Sequence, residues 1–391
     1  MRKVRLKDIG TFYSGLSGKS KKDFSDGNAL LATYRNIFNN PVLNLDIKDT
    51  VVIGNGEKQN EVMYGDILFT GSSETPEEAG MSSVVMSEPK EKIYLNSFCF
   101  GFRLNNIIEV LPSYMGHLLR SEPVRKAISK TAFGVTRFNI NKNFLSEIEI
   151  PLPPLTIQRE IVSVLDSFTT LIDKMKQEVE LRKKQMEYYR EKLLLFDEQE
   201  SGFVKIKDLF DTKNGYTPST KNPDYWTDKG IPWVKMEDIR ENGTVLSDSA
   251  KHITMSAVKG SKLFNANSII LATSATIGVH ALVTVPHLSN QRFTNIYPKK
   301  EYQKKIDMKY AYYYFFKIDR WCKEHVTLGK FAGVNMSDFY DYVFPIPSIS
   351  TQRSIVSTLD SFEQYISKLE RLITLREKQY VYYREKLLTF E

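Results

Sequence analysis

Pro151 to Asp197 reads PLPPLTIQREIVSVLDSFTTLIDKMKQEVELRKKQMEYYREKLLLFD, and Pro345 to Glu391 reads PIPSISTQRSIVSTLDSFEQYISKLERLITLREKQYVYYREKLLTFE. The stretches align without a gap at an offset of 194, with 25 of 47 positions identical, so the chain carries an internal repeat. In each, a seam recurs at alternating steps of four and three residues. It runs Ile161, Leu165, Phe168, Ile172, Met175, Val179, Arg182, Met186, Tyr189, Leu193, Phe196, and then Ile355, Leu359, Phe362, Ile366, Leu369, Ile373, Arg376, Tyr380, Tyr383, Leu387, Phe390. That period predicts two long helices packed on each other as a coiled coil, with one arginine at the same seam position in both. The prolines at 151, 153, 154, 345 and 347 allow an extended approach but no helix interior, which makes Thr156 and Ser350 the expected N-caps. About 41 residues at ~1.5 Å each give a rod of roughly 60 Å.

Working outward, the segments before each helix correspond faintly. Val4, Lys7, Asp8 and Gly15 match Val204, Lys207, Asp208 and Gly215; Leu30 to Ile37 lies over Pro232 to Ile239, and Asp66 to Thr70 over Ser268 to Ala272. Short β-rich runs are expected at Val42–Ile53, Asp66–Gly71, Phe98–Leu104, Ser268–Ala272, Ala281–Val285 and Phe293–Tyr297. A late helix is expected near Pro112–Lys130, interrupted around Pro123, and another at Met308–His325. The fold class is therefore α+β: two mixed α/β domains, 1–150 and 204–344, joined through helical segments 151–203 and 345–391. The helices should run antiparallel, giving one chain a pseudo-two-fold repeat.

The chain has 391 residues, 41% of them hydrophobic and 26% charged, which excludes disorder and collagen. Two cysteines make no disulfide framework, MRKVRLKDIG is followed by no apolar run that would act as a signal peptide, and Ser268–Val285 is too interrupted to span a membrane. A cytoplasmic protein is expected. The surplus of positive charge lies in the globular segments, 19 Lys and Arg against 17 acids in 1–150 and 20 against 14 in 204–344, a balance that fits a nucleic-acid surface without requiring one.

Searches for chemistry fail. Gly18-Lys19-Ser20 lacks the first glycine of a phosphate loop, since position 13 is Tyr, and Asn222-Pro223-Asp224-Tyr225 departs from the adenine-methyltransferase tetrapeptide at its third residue. Cys322 and His325 have helical spacing but no second ligand pair, and the five histidines form no cluster, so no metal site is expected. No catalytic residue is assigned. The residues suited to touching DNA are Lys19, Lys21, Lys22, Arg35 and Arg137 in the first domain. In the second they are Lys213, Thr217, Ser219, Lys221, Lys330 and the triplet Asn290-Gln291-Arg292, whose amides and guanidinium can address base edges.

The pattern resembles the specificity subunit of Type I restriction–modification enzymes. The resemblance rests on Pro153-Pro154-Leu155-Thr156-Ile157-Gln158 with Ile161 and Leu165, on Pro345 to Gln352 with Ile355 and Leu359, on Gly215-Tyr216-Thr217-Pro218-Ser219-Thr220-Lys221-Asn222-Pro223-Asp224-Tyr225-Trp226, and on the duplication itself. The first domain departs from it, because Gly15 to Ser20 lacks Thr-Pro-Ser and Tyr-Trp. The resemblance implies two target-recognition domains reading a bipartite double-stranded DNA target, in a subunit that is itself no enzyme and holds no cofactor. It also implies two modification subunits, which bind S-adenosylmethionine and methylate adenine, and restriction subunits that cleave DNA.

On that reading the helices set the gap between half-sites, and one heptad inserted in each should change the number of unspecified base pairs. The block Tyr188, Arg190, Glu191, Lys192, repeated as Tyr382, Arg384, Glu385, Lys386, exceeds what a seam needs. It marks either a recent duplication or one surface offered to two copies of a partner. The alternative function is a non-catalytic coiled-coil scaffold joining two protein-binding domains, separable by the salt dependence of DNA binding.

Overall fold

Ile67-Leu68-Phe69-Thr70 is buried at every position, as is Ser268-Ile269-Ile270-Leu271-Ala272, and the reason is visible in a computed structural model of the chain, which describes residues 2–197, 201–327 and 332–390. Successive strand residues point to opposite faces. Ile67 and Phe69 enter a core closed by helices, while Leu68 enters a second core on the other face of the sheet. Ile269 and Leu271 divide from Ile270 and Ala272 in the same way. A sheet covered on both faces needs no polar alternation.

The chain divides into two units, 1–177 with 369–391, and 178–368. In the first, an antiparallel sheet has the order Gly10–Ser14, Cys99–Leu104, Ile67–Thr70, Ser82–Val84. A smaller sheet sets Ala29–Ala32 antiparallel to Thr50–Val51 and parallel to Ile93–Leu95. The second unit repeats the plan with Phe210–Asn214, Phe293–Pro298, Ser268–Ala272 and His280–Val283, adding Val245–Leu246 at the edge. There Ile231–Val234 is antiparallel to His252–Ile253 and parallel to Leu288–Ser289. Strand Arg2–Arg5 pairs with Glu149–Leu152, and Gly202–Lys205 with Val343–Ile346. Gly15 and Gly215 match because a Cβ at either would lie 2.3 Å from Asn96 O or 2.2 Å from Ser289 O.

Three local expectations are corrected. Val42–Ile53 is no continuous strand: Thr50–Val51 is its strand, and Val42 makes an isolated parallel bridge to Val84. Pro41 interrupts the approach, and Asn36 and Asn44 hold a loop, with the Asn36 amide on Asn44 O at 2.9 Å and the Asp46 N–H on Asn44 Oδ1 at 2.9 Å. The late helix breaks at 119–121 into Pro112–Leu118 and Glu122–Ser129, so Pro123 sits in a first turn where its missing N–H costs nothing. Thr156 and Ser350 are not N-caps, because the long helices begin one residue earlier, at Leu155 and Ile349. The backbone N–H groups of Gln158 and Gln352 donate to Pro154 O and Ser348 O, and Ser348 Oγ accepts the Thr351 N–H at 3.2 Å.

The long helices, Leu155–Leu193 and Ile349–Leu388, are antiparallel. In the first unit Phe168 stacks on Tyr383, with ring centroids 5.4 Å apart, and in the second Tyr189 stacks on Phe362 at 5.5 Å. Shifted by 194 residues these are the same two repeat positions with their helices exchanged. Arg182 bonds Glu178 and Gln185 on its own helix and lies over Tyr365; Arg376 bonds Gln379. At the helix ends the seam gives way to domain packing. Leu388 joins Ile161 and Leu165 in the first unit's core, and Leu194 joins Ile355 and Leu359 in the second's. No helix among the described residues is long and apolar enough to cross a membrane.

Candidate nucleic-acid interface and the helix–domain joints

In the first domain the chain leaves Ile67–Thr70 into Ser72–Ser73, which pairs with Phe138–Ile140 of a hairpin whose other strand is Ala132–Phe133. The hairpin tip is Gly134-Val135-Thr136-Arg137. Gly134 has φ +152, and a Cβ there would meet Arg137 O at 1.9 Å, so the turn demands glycine. Arg137 is exposed, donates from Nε to Ser72 Oγ at 3.1 Å and lies over the Phe98 ring at 5.2 Å. Arg35, also exposed, is on helix Tyr34–Asn39, whose Tyr34 donates its hydroxyl to Ser72 O at 2.8 Å. The segment that follows Ser72–Ser73 is held by a residue that sequence reading missed. Arg125 bonds the carbonyls of Gly80, Glu77 and Ala79, and burial pulls its guanidinium down to about 10, still cationic at neutral pH. Only the positions of its acceptors mark its role, and sequence spacing does not encode them.

Lys21 and Lys22 are exposed in a single turn, Lys21–Phe24. Lys19 is different: its side chain is 8% exposed and its ammonium sits 2.5 Å from Glu57, whose carboxyl is held down at about 2 by that bond together with those from Gln59 and the Gly54 amide. Its charge is answered within the domain.

In the second domain the Tyr216 N–H donates to Ser289 O, which sets the loop after Phe210–Asn214 beside the loop before Phe293–Pro298. The Thr217 hydroxyl donates to Gln291 Oε1 at 2.6 Å, so two of the expected contact residues meet. Arg292 is exposed, whereas Asn290 is half-buried and spends its Oδ1 on the Arg292 N–H, which leaves Gln291 and Arg292 as the accessible part of the triplet. Lys213, Ser219 and Lys221 are exposed, with Ser219 O taking the Trp226 indole N–H at 3.2 Å. Lys259, not singled out from sequence, lies over the Tyr216 ring at 4.7 Å. Lys330 lies outside the described residues.

The joints between helix and domain are the same in both units. Gln158 is buried; its Oε1 accepts the Leu111 N–H at 2.9 Å and its Nε2 donates to Glu109 O and Pro153 O. Gln352 repeats this with Asp307 N, Lys305 O and Pro347 O. Tyr114 and Tyr310 donate their hydroxyls to Pro151 O and Pro345 O, and Asp166 and Asp360 accept from His117 and Tyr313. The repeated block at the helix ends divides. Arg190 lies over Phe316 at 4.2 Å and Glu191 pairs with Arg320 at 2.6 Å, while Arg384 pairs with Glu385, which also accepts the Glu122 N–H. Tyr188, Lys192, Tyr382 and Lys386 remain exposed. Among the described residues no group of three or more His, Cys, Asp and Glu could hold a metal ion.

Residues 1–181 and 198–377 each match the family profile described as Type I restriction modification DNA specificity domain. Over 214 residues the chain is 43% identical to the EcoprrI specificity subunit of Escherichia coli, covering 52% of this chain and 53% of that protein. Over 266 residues it is 34% identical to the EcoR124I/EcoR124II specificity subunit of the same organism, covering 63% and 64%. The aligned regions thus span between half and two thirds of these relatives' own lengths. The crystal structure of a Type-I restriction-modification system S subunit from M. genitalium has the same fold, with a TM-score of 0.54 and 13% identity over 100% of this chain and 96% of that one. The chain belongs to the Type I restriction–modification DNA specificity family and carries two copies of its domain.

Proposed function

We propose that the chain is the specificity subunit of a Type I restriction–modification enzyme, one that performs no chemistry itself. Its two domains read the two unlike parts of a split double-stranded DNA target. Its helices dock two modification subunits, which would hold S-adenosylmethionine, and the assembly takes up restriction subunits. The observation that carries this reading is one frame built twice with different exposed loops: Arg137 and Arg35 on the first copy, Thr217, Gln291 and Arg292 on the second. Like frames suit like partners, and unlike loops suit unlike half-sites. Cytoplasmic residence fits the two buried, unpaired cysteines, Cys99 and Cys322.

The test is to co-purify the full chain with a modification subunit, determine stoichiometry by native mass spectrometry, and measure DNA affinity between about 50 and 200 mM salt. The reading predicts two modification subunits per chain and an affinity falling about a thousandfold or more over that range, as counterion release requires. Salt-independent affinity in a stable complex would leave a protein scaffold and remove the DNA reader.

A further inference from the structure

The first domain contains a cleft of about 630 Å³ lined in part by Tyr34, Phe38, Ser72, Glu78, Phe98 and Arg137. Its polar groups are not loose surface charges. Tyr34 stacks on Phe38 with centroids 5.8 Å apart and bonds Ser72 O. Ser72, 4% exposed, takes Arg137 Nε on its hydroxyl, while the guanidinium rests over Phe98, itself 56% exposed. One nitrogen of Arg137 is thereby committed and its plane supported. The two terminal amino groups have no hydrogen-bond or ion-pair partner among the described residues. Glu78, which lines the same cleft, accepts the Ser73 hydroxyl at 3.1 Å through Oε2, and among the described residues no hydrogen bond or ion pair occupies its Oε1.

Two parallel donors and a free acceptor oxygen lining one cleft match the groups that one base pair presents. Guanine presents O6 and N7, both acceptors, to the major groove, and its partner cytosine presents the N4 amino donor. An A·T pair offers a different order of groups, against which a rigid pair of donors is mismatched. We infer that the first domain reads a G·C pair in its half-site, Arg137 forking onto the guanine and Glu78 accepting from the cytosine amino group. The inference rests on the DNA-reading function proposed above. It belongs to the first domain alone: the Gly71 N–H bonds Phe98 O, and the corresponding Thr273 N–H bonds Arg292 O, so the second domain has an arginine where the first has its aromatic platform.

The experiment uses the full chain co-expressed with its modification subunit, as wild type and as Arg137→Gln, Arg137→Lys and Glu78→Gln, with N6-methyladenine mapped across a plasmid library by single-molecule sequencing. The wild type should methylate a split motif with a G·C pair in one half. Arg137→Gln should leave the other half unchanged and raise methylation of sites altered at that G·C pair by about tenfold to a hundredfold. Arg137→Lys, which keeps the charge but loses the fork, should relax the same position, and Glu78→Gln should do so more weakly. Full discrimination retained by the lysine variant would overturn the inference. So would relaxation at an A·T pair, or a wild-type split motif with no G·C pair in the half that responds. If the assembled wild type produces no split motif, the function proposed above fails, and this inference with it.

Discussion

Replacing Gln158 by leucine would keep its volume but strip the Leu111 N–H of its acceptor and the Glu109 and Pro153 carbonyls of a donor. An unsatisfied group of this kind costs about 1–3 kcal/mol, so Gln158→Leu is expected to lower stability by about 2 kcal/mol or more in urea unfolding. Gln158→Glu should be worse, because a carboxylate would face two carbonyls; a loss below about 0.5 kcal/mol in both variants would deny the joint its role. His287 supplies a pH test in the second domain. Burial pushes its imidazole from the ordinary 6.5 down to about 4, and its Nε2 has no partner among the described residues. The unfolded chain therefore binds a proton between those values that the folded one refuses. The corresponding stability, on the order of 3 kcal/mol, is complete above about pH 6.5 and is lost as pH falls toward 4. Unfolding followed at both ends of that window should show the loss, and His287→Phe should reduce it. Residues of this class were poorly legible in the sequence. Gln158 and Gln352 stood out only as part of a family pattern, and the engagement of Lys19 with Glu57 spans 38 residues that no periodicity connects.

The long helices were the most legible elements, because a heptad seam is a local signal that also specifies the packing partner. Ile172, Val179, Ile366 and Ile373 are buried as the period demands. Their ends were not legible: the seam nominates Leu193 and Leu387, yet Leu194 and Leu388 are the buried pair, since the last turn turns from helix to domain core. Leu165, fully buried, should cost about 2–5 kcal/mol on truncation to alanine, whereas Leu181, 61% exposed, should cost less than about 0.5 in the same denaturation series. The repeated end block calls for a particular variant. Arg190→Glu would disturb the packing over Phe316, so a loss of assembly there would be ambiguous. Tyr188→Ala and Tyr382→Ala, at positions 60% and 59% exposed, are expected to preserve far-UV circular dichroism and thermal stability. On the proposed function they should weaken capture of modification subunits, and unaltered capture in the double variant would leave common ancestry as the explanation of the repeat.

At the scale of the whole molecule, duplication was legible in the helices and faint in the domains. The structure explains the contrast. The correspondence of Ile67–Thr70 with Ser268–Ala272 survives because both strands are buried on two faces, whereas the loops that surround the sheets are free to differ. Phe98 against Arg292 is one such difference, at equivalent backbone positions. Two frames with the same joints and different loops predict one target with two unlike halves. The most direct measurement is to co-express the full chain with a modification subunit and map N6-methyladenine across a plasmid library. The account predicts a single motif of two specified parts, unequal in sequence and separated by unspecified base pairs. A palindromic or continuous motif, or none from an assembled complex, would contradict it.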